Sequence, residues 1–125
     1  MTNLKTVEIK AFLPAKDYAL SQRFYQDLGF TMASDGGGVS YFHYGNSSFL
    51  LCEFYVQAFA ENLSMHLLVE DVHAWFEQVK ASGVVEKYGV RLTPLEEQPW
   101  AMIDFTLADP AGVCWRIGQN IDRKT

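Results

Sequence analysis

The sequence predicts an α+β fold made of two βαβββ modules, and three observations predict it. Two segments with helical apolar spacing, each opened by an aspartate and closed by a glycine, run from Asp17 to Gly29 and from Asp71 to Gly83, 54 residues apart. Short alternating apolar segments lie before and after each of them. The hairpin turn in YGNSSFLLCEF also corresponds to that in ADPAGVCWRIG, at an offset of about 65. Repetition at this length marks duplicated supersecondary units. No linker or low-complexity stretch separates the copies, so one domain over residues 1–125 is expected, with module 1 at about 4–56 and module 2 at about 63–120.

The elements follow in order. In VEIKAFL, residues 7–13, Val7, Ile9, Ala11 and Leu13 alternate with Glu8, Lys10 and Phe12, which reads as a strand ended by Pro14. Asp17 can cap a helix to about Leu28 with Tyr18, Ser21, Phe24, Tyr25 and Leu28 on one face, and Gly29 stops it. FTMAS is a short strand and DGGG a turn; VSYFHY and SFLLCEFY are strands around the turn GNS. In the second copy MHLLVE is a strand. Asp71 then caps a helix to about Ser82, with Val72, Trp75, Phe76 and Val79 at core spacing. GVVEKYGVRL is read as a short strand and a turn, and AMIDFTLA and GVCWRIG as the closing hairpin around Asp109-Pro110-Ala111-Gly112.

Composition narrows the functional classes. Hydrophobic residues make up 49% and charged residues 20%, which suits a globular chain. No apolar run approaches the roughly 18 residues that span a membrane, and MTNLKTVEIKAF lacks the apolar centre of a signal peptide. The net charge is −5 and the ten basic residues are scattered, so no stripe for nucleic-acid phosphates is present. Cys52 and Cys114 lie far apart without CxxC spacing, and a reducing cytoplasmic setting is expected.

The segment FLPAKDYALSQRFYQDLGF resembles the opening of the glyoxalase / bleomycin resistance / extradiol dioxygenase (vicinal oxygen chelate) superfamily, and DPAGVCWRIGQ resembles its closing hairpin. LLCEFY and QPWAM point to the bleomycin-resistance branch. The resemblance implies an eight-stranded, cup-like mixed sheet with helices outside and, commonly, a homodimer whose grooves use both subunits, sometimes with exchanged N-terminal strands. It also implies metal-ligand positions on the inner face of the cup at Lys10, Leu51, Ser64 and Arg116. Lysine and arginine offer no lone pair at neutral pH, leucine has no donor atom, and serine alone is a weak ligand. No metal or other cofactor is therefore expected.

What remains are residues that could hold a small molecule. Trp100, after Pro99 at the mouth of a hairpin, can stack on a flat or cationic ligand, or it can fold onto its own protein. Phe12 and Phe49 share the parity of Lys10 and Leu51, His66 that of Ser64, and Met102 opens the strand after Trp100, so these four are expected to line the cavity beneath it. Lys10 and Arg116 either pair with acids such as Glu8, Glu53 and Asp104 or hold an anionic or carbonyl group of a ligand. His66 is either a hydrogen-bonded pocket residue or the centre of a glyoxalase- or dioxygenase-type enzyme, as a displaced metal site with Glu53 or through acid/base chemistry of its own. Trp75 and Trp115 read as packing residues, His43 as a neighbouring strand residue and His73 as an exposed helix residue. The reading that results is a metal-free binding protein for a planar or cationic compound of the bleomycin type. The triple glycine at 36–38 offers such a ligand no stacking surface.

Overall fold

The structure, a computed structural model, describes residues 2–122; residue 1 and residues 123–125 of the expected domain lie outside the described residues. The first module comprises β1 (Phe12–Pro14), α1 (Tyr18–Leu28), β2 (Thr31–Gly36), β3 (Val39–Tyr44) and β4 (Ser47–Cys52). A short helix α2 (Gln57–Ala60) joins it to the second, made of β5 (Ser64–Leu68), α3 (Val72–Ser82), α4 (Val84–Tyr88), β6 (Glu96–Gln98), β7 (Met102–Ala108) and β8 (Cys114–Asn120). Each module is a four-stranded mixed sheet, ordered β1-β4-β3-β2 and β5-β8-β7-β6, with the first and last strands parallel and the rest antiparallel. The α+β class and the βαβββ repeat are those expected from the sequence. The cup is not closed: the two sheets remain separate ladders. Among the described residues no helix is long and apolar enough to cross a membrane.

The helices begin and end where local chemistry dictates. Asp17 accepts from the Leu20 backbone N–H at 3.2 Å and Asp71 from that of Ala74 at 3.0 Å, each satisfying one donor left open by the first turn. Gly29 (φ 123°) and Gly83 (φ 77°) close the helices with backbone angles that side chains disfavour. Ser21, Phe24, Tyr25 and Leu28 of α1 are buried, as are Val72 and Val79 of α3.

Each sheet has a covered face, packed on helices, and an open face. The covered faces share one core: Phe49 on β4 and Trp115 on β8 lie 5.4 Å apart between ring centroids, and Tyr25 of α1 touches both at 4.7 and 5.8 Å. The Tyr25 hydroxyl donates to Asp109 at 2.5 Å and accepts from the Trp115 indole N–H at 2.9 Å. The first helix is thereby bonded to the last hairpin.

Two local expectations are corrected. The expected strand 7–13 shrinks to Phe12–Pro14: residues 2–11 enter no ladder, and of their backbone groups only the Ala11 carbonyl bonds β4, accepting from Leu50 N–H at 3.0 Å. The strand expected in GVVEKYGVRL is replaced by α4. There Val84 is buried, Tyr88 packs edge-on against Phe24 at 5.4 Å, and the Tyr88 hydroxyl and Lys87 ammonium both donate to Asp27, at 2.5 and 2.8 Å. Docking on α1 overrides the strand preference of two adjacent valines. The helix α2 and the strand β6 are additions that the sequence reading did not contain.

Candidate functional site

Alternation along β5, β7 and β8 selects which side chains reach the open face of the second sheet. Leu67, Phe105, Leu107, Trp115 and Ile117 are buried beneath it. The residues between them, among them His66, Met102, Asp104, Thr106 and Arg116, therefore point the other way. His66, Arg116 and Thr106 stand in one row across three strands. Arg116 Nη1 donates to Asp104 Oδ2 at 3.0 Å, and Gln98 Nε2 donates to Oδ1 at 3.0 Å. Asp104 is 1% exposed, whereas the Arg116 side chain keeps 39% of its surface. A buried carboxylate needs such partners. Its neutralisation engages only part of a guanidinium that carries five N–H donors. Gly118 makes room for this arrangement, since a Cβ there would sit 3.1 Å from both Asp104 Cβ and Met102 Cε.

Trp100 stands at the end of this face, in the loop between β6 and β7, and 59% of its surface is exposed. Among the described residues no ring or cation stacks on it. The indole is thus displayed to solvent at the rim.

The open face of the first sheet carries a second polar group. Lys10 donates to Glu8 at 2.8 Å and lies 5.3 Å from the Tyr41 ring centroid. Tyr41 donates to the same carboxylate at 3.0 Å, and Ser48 bonds to it as well. Lys10, then Ser48 and Tyr41, hold Glu8 down at a pKa of about 2. Phe12 lies on this open face, 56% exposed. Beside the group is a cavity of about 380 Å³ between β4 and β5, lined by Val7, Glu8 and Ile9 on one side, Met65 and His66 on the other, and reaching Phe30, Phe49 and Trp115.

The structure therefore divides the eight residues singled out in the sequence. His66, Met102 and Arg116 share one open face, with Trp100 at its end; Lys10 and Phe12 share the other. Phe49 and Leu51 do not point into a cup: they are 1% and 0% exposed and face α1, although the edge of Phe49 lines the cavity. The expected parity was one residue out of step, and Leu50 occupies the open face instead. Glu53 follows β4 at its far end and lines a different depression, with Lys16, Asp17 and Tyr18. It stands about 16 Å along the strand from Ser48, which shares the cavity with His66. His66 and Glu53 are not brought together. His43 is half-buried opposite Ser48, and His73 is exposed on α3.

The four positions that would carry a metal in the cup hold an ammonium, two groups without chelating power and a guanidinium. Leu50, the open-face neighbour of Leu51, has no donor atom either. This donor set does not fit a divalent ion, and among the described residues no three His, Cys, Asp or Glu side chains cluster as a metal site. Sequence reasoning missed Gln98, Tyr41 and Ser48. The alternation of VSYFHY places Tyr41 opposite Phe42 and could have found Tyr41, whereas Gln98 depends on the unforeseen strand β6.

Comparison with known proteins agrees with this architecture. No curated protein sequence matches the chain. Among solved structures, a bleomycin-binding protein complexed with bleomycin is 25% identical with a TM-score of 0.79, over 92% of this chain and 99% of that one. The bleomycin-binding protein of Streptomyces verticillus, complexed with copper(II)-bleomycin, is 22% identical with a TM-score of 0.76, over 97% of this chain and 100% of that one. A lactoylglutathione lyase from Agrobacterium tumefaciens is 18% identical with a TM-score of 0.64, over 92% of this chain and 95% of that one. The family model described as Glyoxalase/Bleomycin resistance protein/Dioxygenase superfamily matches residues 6–117. With its two βαβββ modules and a match over most of its length, the chain belongs to the glyoxalase/bleomycin resistance protein/dioxygenase superfamily.

Proposed function

We propose that this protein sequesters a planar or cationic small molecule of the bleomycin type, holding it in a groove without a metal of its own and without chemistry. The observation that carries the reading is the exposed Trp100 at the end of an open sheet face whose metal positions hold Ser64 and Arg116. An indole at a rim attracts flat or cationic groups. The partly engaged guanidinium of Arg116 and the adjacent His66 offer donors to carbonyl or anionic oxygens of the same ligand. Solved neighbours that bind bleomycin support the choice of ligand class. A displaced metal site would require His66 and Glu53 to meet, and they line different depressions.

The proposal includes a homodimer in a cytoplasmic setting. Free thiols at Cys52 and Cys114 suit a reducing compartment. Val7 and Ile9 are 99% and 95% exposed, beside a cavity bordered by the free edge of β5 and by residues 47–49 of β4, which β1 leaves unpaired. Such edges invite another strand, and a two-fold pair is the commonest closed assembly.

Titration of the intrinsic fluorescence with bleomycin tests the function. The wild type is expected to respond. Trp100→Ala should weaken binding by several-fold to tens-fold, about 0.5–2 kcal/mol, with the melting temperature held. No response to bleomycin or to flat cationic drugs, or unfolding of Trp100→Ala, would reduce the tryptophan to a structural role and remove the main support for the reading.

A further inference from the structure

Gln98 and Met102 pair across the β6–β7 hairpin, so only Pro99, Trp100 and Ala101 reverse the chain. Loops of this length commonly end in a residue with left-handed backbone angles, a place that glycine fills without strain. Here it is filled by alanine. Ala101 has φ 62° and is the only non-glycine residue with positive φ among the described residues. Its backbone is held on both sides: its N–H donates to the Gln98 carbonyl at 3.2 Å, and its carbonyl accepts from Ile121 N–H at 2.9 Å. A residue in a sparsely populated conformation persists only where its surroundings over-determine it, and such residues collect at ligand-holding sites.

We infer that Ala101 is a positioning residue that, with Pro99, fixes the direction in which Trp100 presents its ring. Pro99 locks the backbone angle on one side of the tryptophan. On the other side, an L-residue with a Cβ has a single narrow left-handed well, while glycine ranges over both signs of φ. Among the described residues no aromatic or cationic group stacks on the ring, and the backbone of the three-residue loop that carries it sets the direction in which it leaves the chain. A preset ring loses less freedom when a ligand stacks on it. The consequence for affinity rests on the binding reading proposed above; the consequence for the ring does not.

The test uses the full chain labelled with 5-fluorotryptophan, the Trp100 resonance being identified by its loss in Trp100→Phe. In the wild type it should be a single narrow line. In Ala101→Gly it should broaden or split while the melting temperature is unchanged or raised, because glycine relieves the strained angle. Pro99→Ala should disturb the line in the same direction. Bleomycin affinity should fall about three- to tenfold in Ala101→Gly. An unchanged Trp100 line in both variants overturns the positioning role, and equal bleomycin affinity in wild type and Ala101→Gly overturns its link to binding. If the wild type binds no bleomycin, the function reading fails while the fluorine line still decides whether Ala101 holds the ring.

Discussion

Tyr25 joins the two modules through one hydroxyl, donated to Asp109 and accepting from Trp115, with all three residues at or below 4% exposure. Tyr25→Phe would keep the ring packing and strand the indole N–H in the core. An unsatisfied buried donor and a weakened carboxylate together should cost about 2–4 kcal/mol in urea unfolding. The pH dependence has a definite sign. Burial raises the Asp109 pKa above its ordinary value of 3.8, while the bond from Tyr25 opposes that rise. A raised carboxylate contributes stability that is full below 3.8 and is lost as pH climbs through the folded value. Removing the opposing bond raises it further, so the penalty of Tyr25→Phe should be larger at pH 7 than at pH 4. An equal penalty at both would show that Asp109 does not sense this hydroxyl. Sequence spacing put Tyr25 on the core face of its helix, but its partner lies 84 positions away and no local pattern announces it.

At the scale of elements, what was legible is what local chemistry controls. Asp17 and Asp71 cap α1 and α3 as their spacing to Gly29 and Gly83 suggests. Asp17→Ala and Asp71→Ala should each cost about 0.5–2 kcal/mol in urea unfolding; a negligible loss at either would deny that cap its role. The elements that sequence did not reveal depend on distant partners: α4 forms where α1 receives Tyr88 and Lys87, and β6 exists by pairing with β7. The candidate site divides in the same way. The residues of its second-sheet face follow from alternation and are where the pattern puts them, while Phe49 faces the core because counting from the turns put Leu51 where Leu50 stands, and a shift of one turns every side chain over. The N-terminal segment, residues 2–11, is joined to the sheet at its end by the Ala11 carbonyl and before that through the Glu8 side chain. Glu8, kept ionised down to about pH 2 by Lys10, Ser48 and Tyr41, ties it to the sheet. A depressed carboxylate stabilises above its ordinary 4.5 and ceases to do so as pH falls toward 2. Limited proteolysis should therefore show residues 2–11 opening to an acid protease below about pH 4, and Glu8→Gln should open them to a neutral protease already at pH 7. Protection that is independent of pH and of Glu8 would refute this tether.

The whole molecule combines a completed core with an incomplete surface. Phe49 and Trp115 close the space between the covered faces, so folding of one chain satisfies both modules. Among the described residues, the outer edge of β5 and the part of β4 that β1 does not cover, residues 47–49, have no strand beside them, and the chain carries an alternating segment whose apolar side, Val7 and Ile9, is almost fully in solvent. Burying two such side chains contributes about 1.5–3 kcal/mol each, and pairing their backbone adds hydrogen bonds that the free edges lack. A segment of this kind on each of two copies makes the contribution twice in a closed pair, which is the physical argument for the proposed dimer. Light scattering at micromolar concentration should give a mass near twice the 14.2 kDa of one chain. A chain lacking residues 2–11 should shift toward the monomer while its circular dichroism, which reports helices and sheets that lie outside the deleted segment, stays near that of the full chain. Val7→Asp with Ile9→Asp should weaken association in the same way without shortening the chain. A full-length protein that remains monomeric, or a dimer that survives both changes intact, would place the contact elsewhere and leave the N-terminal segment without a role in assembly.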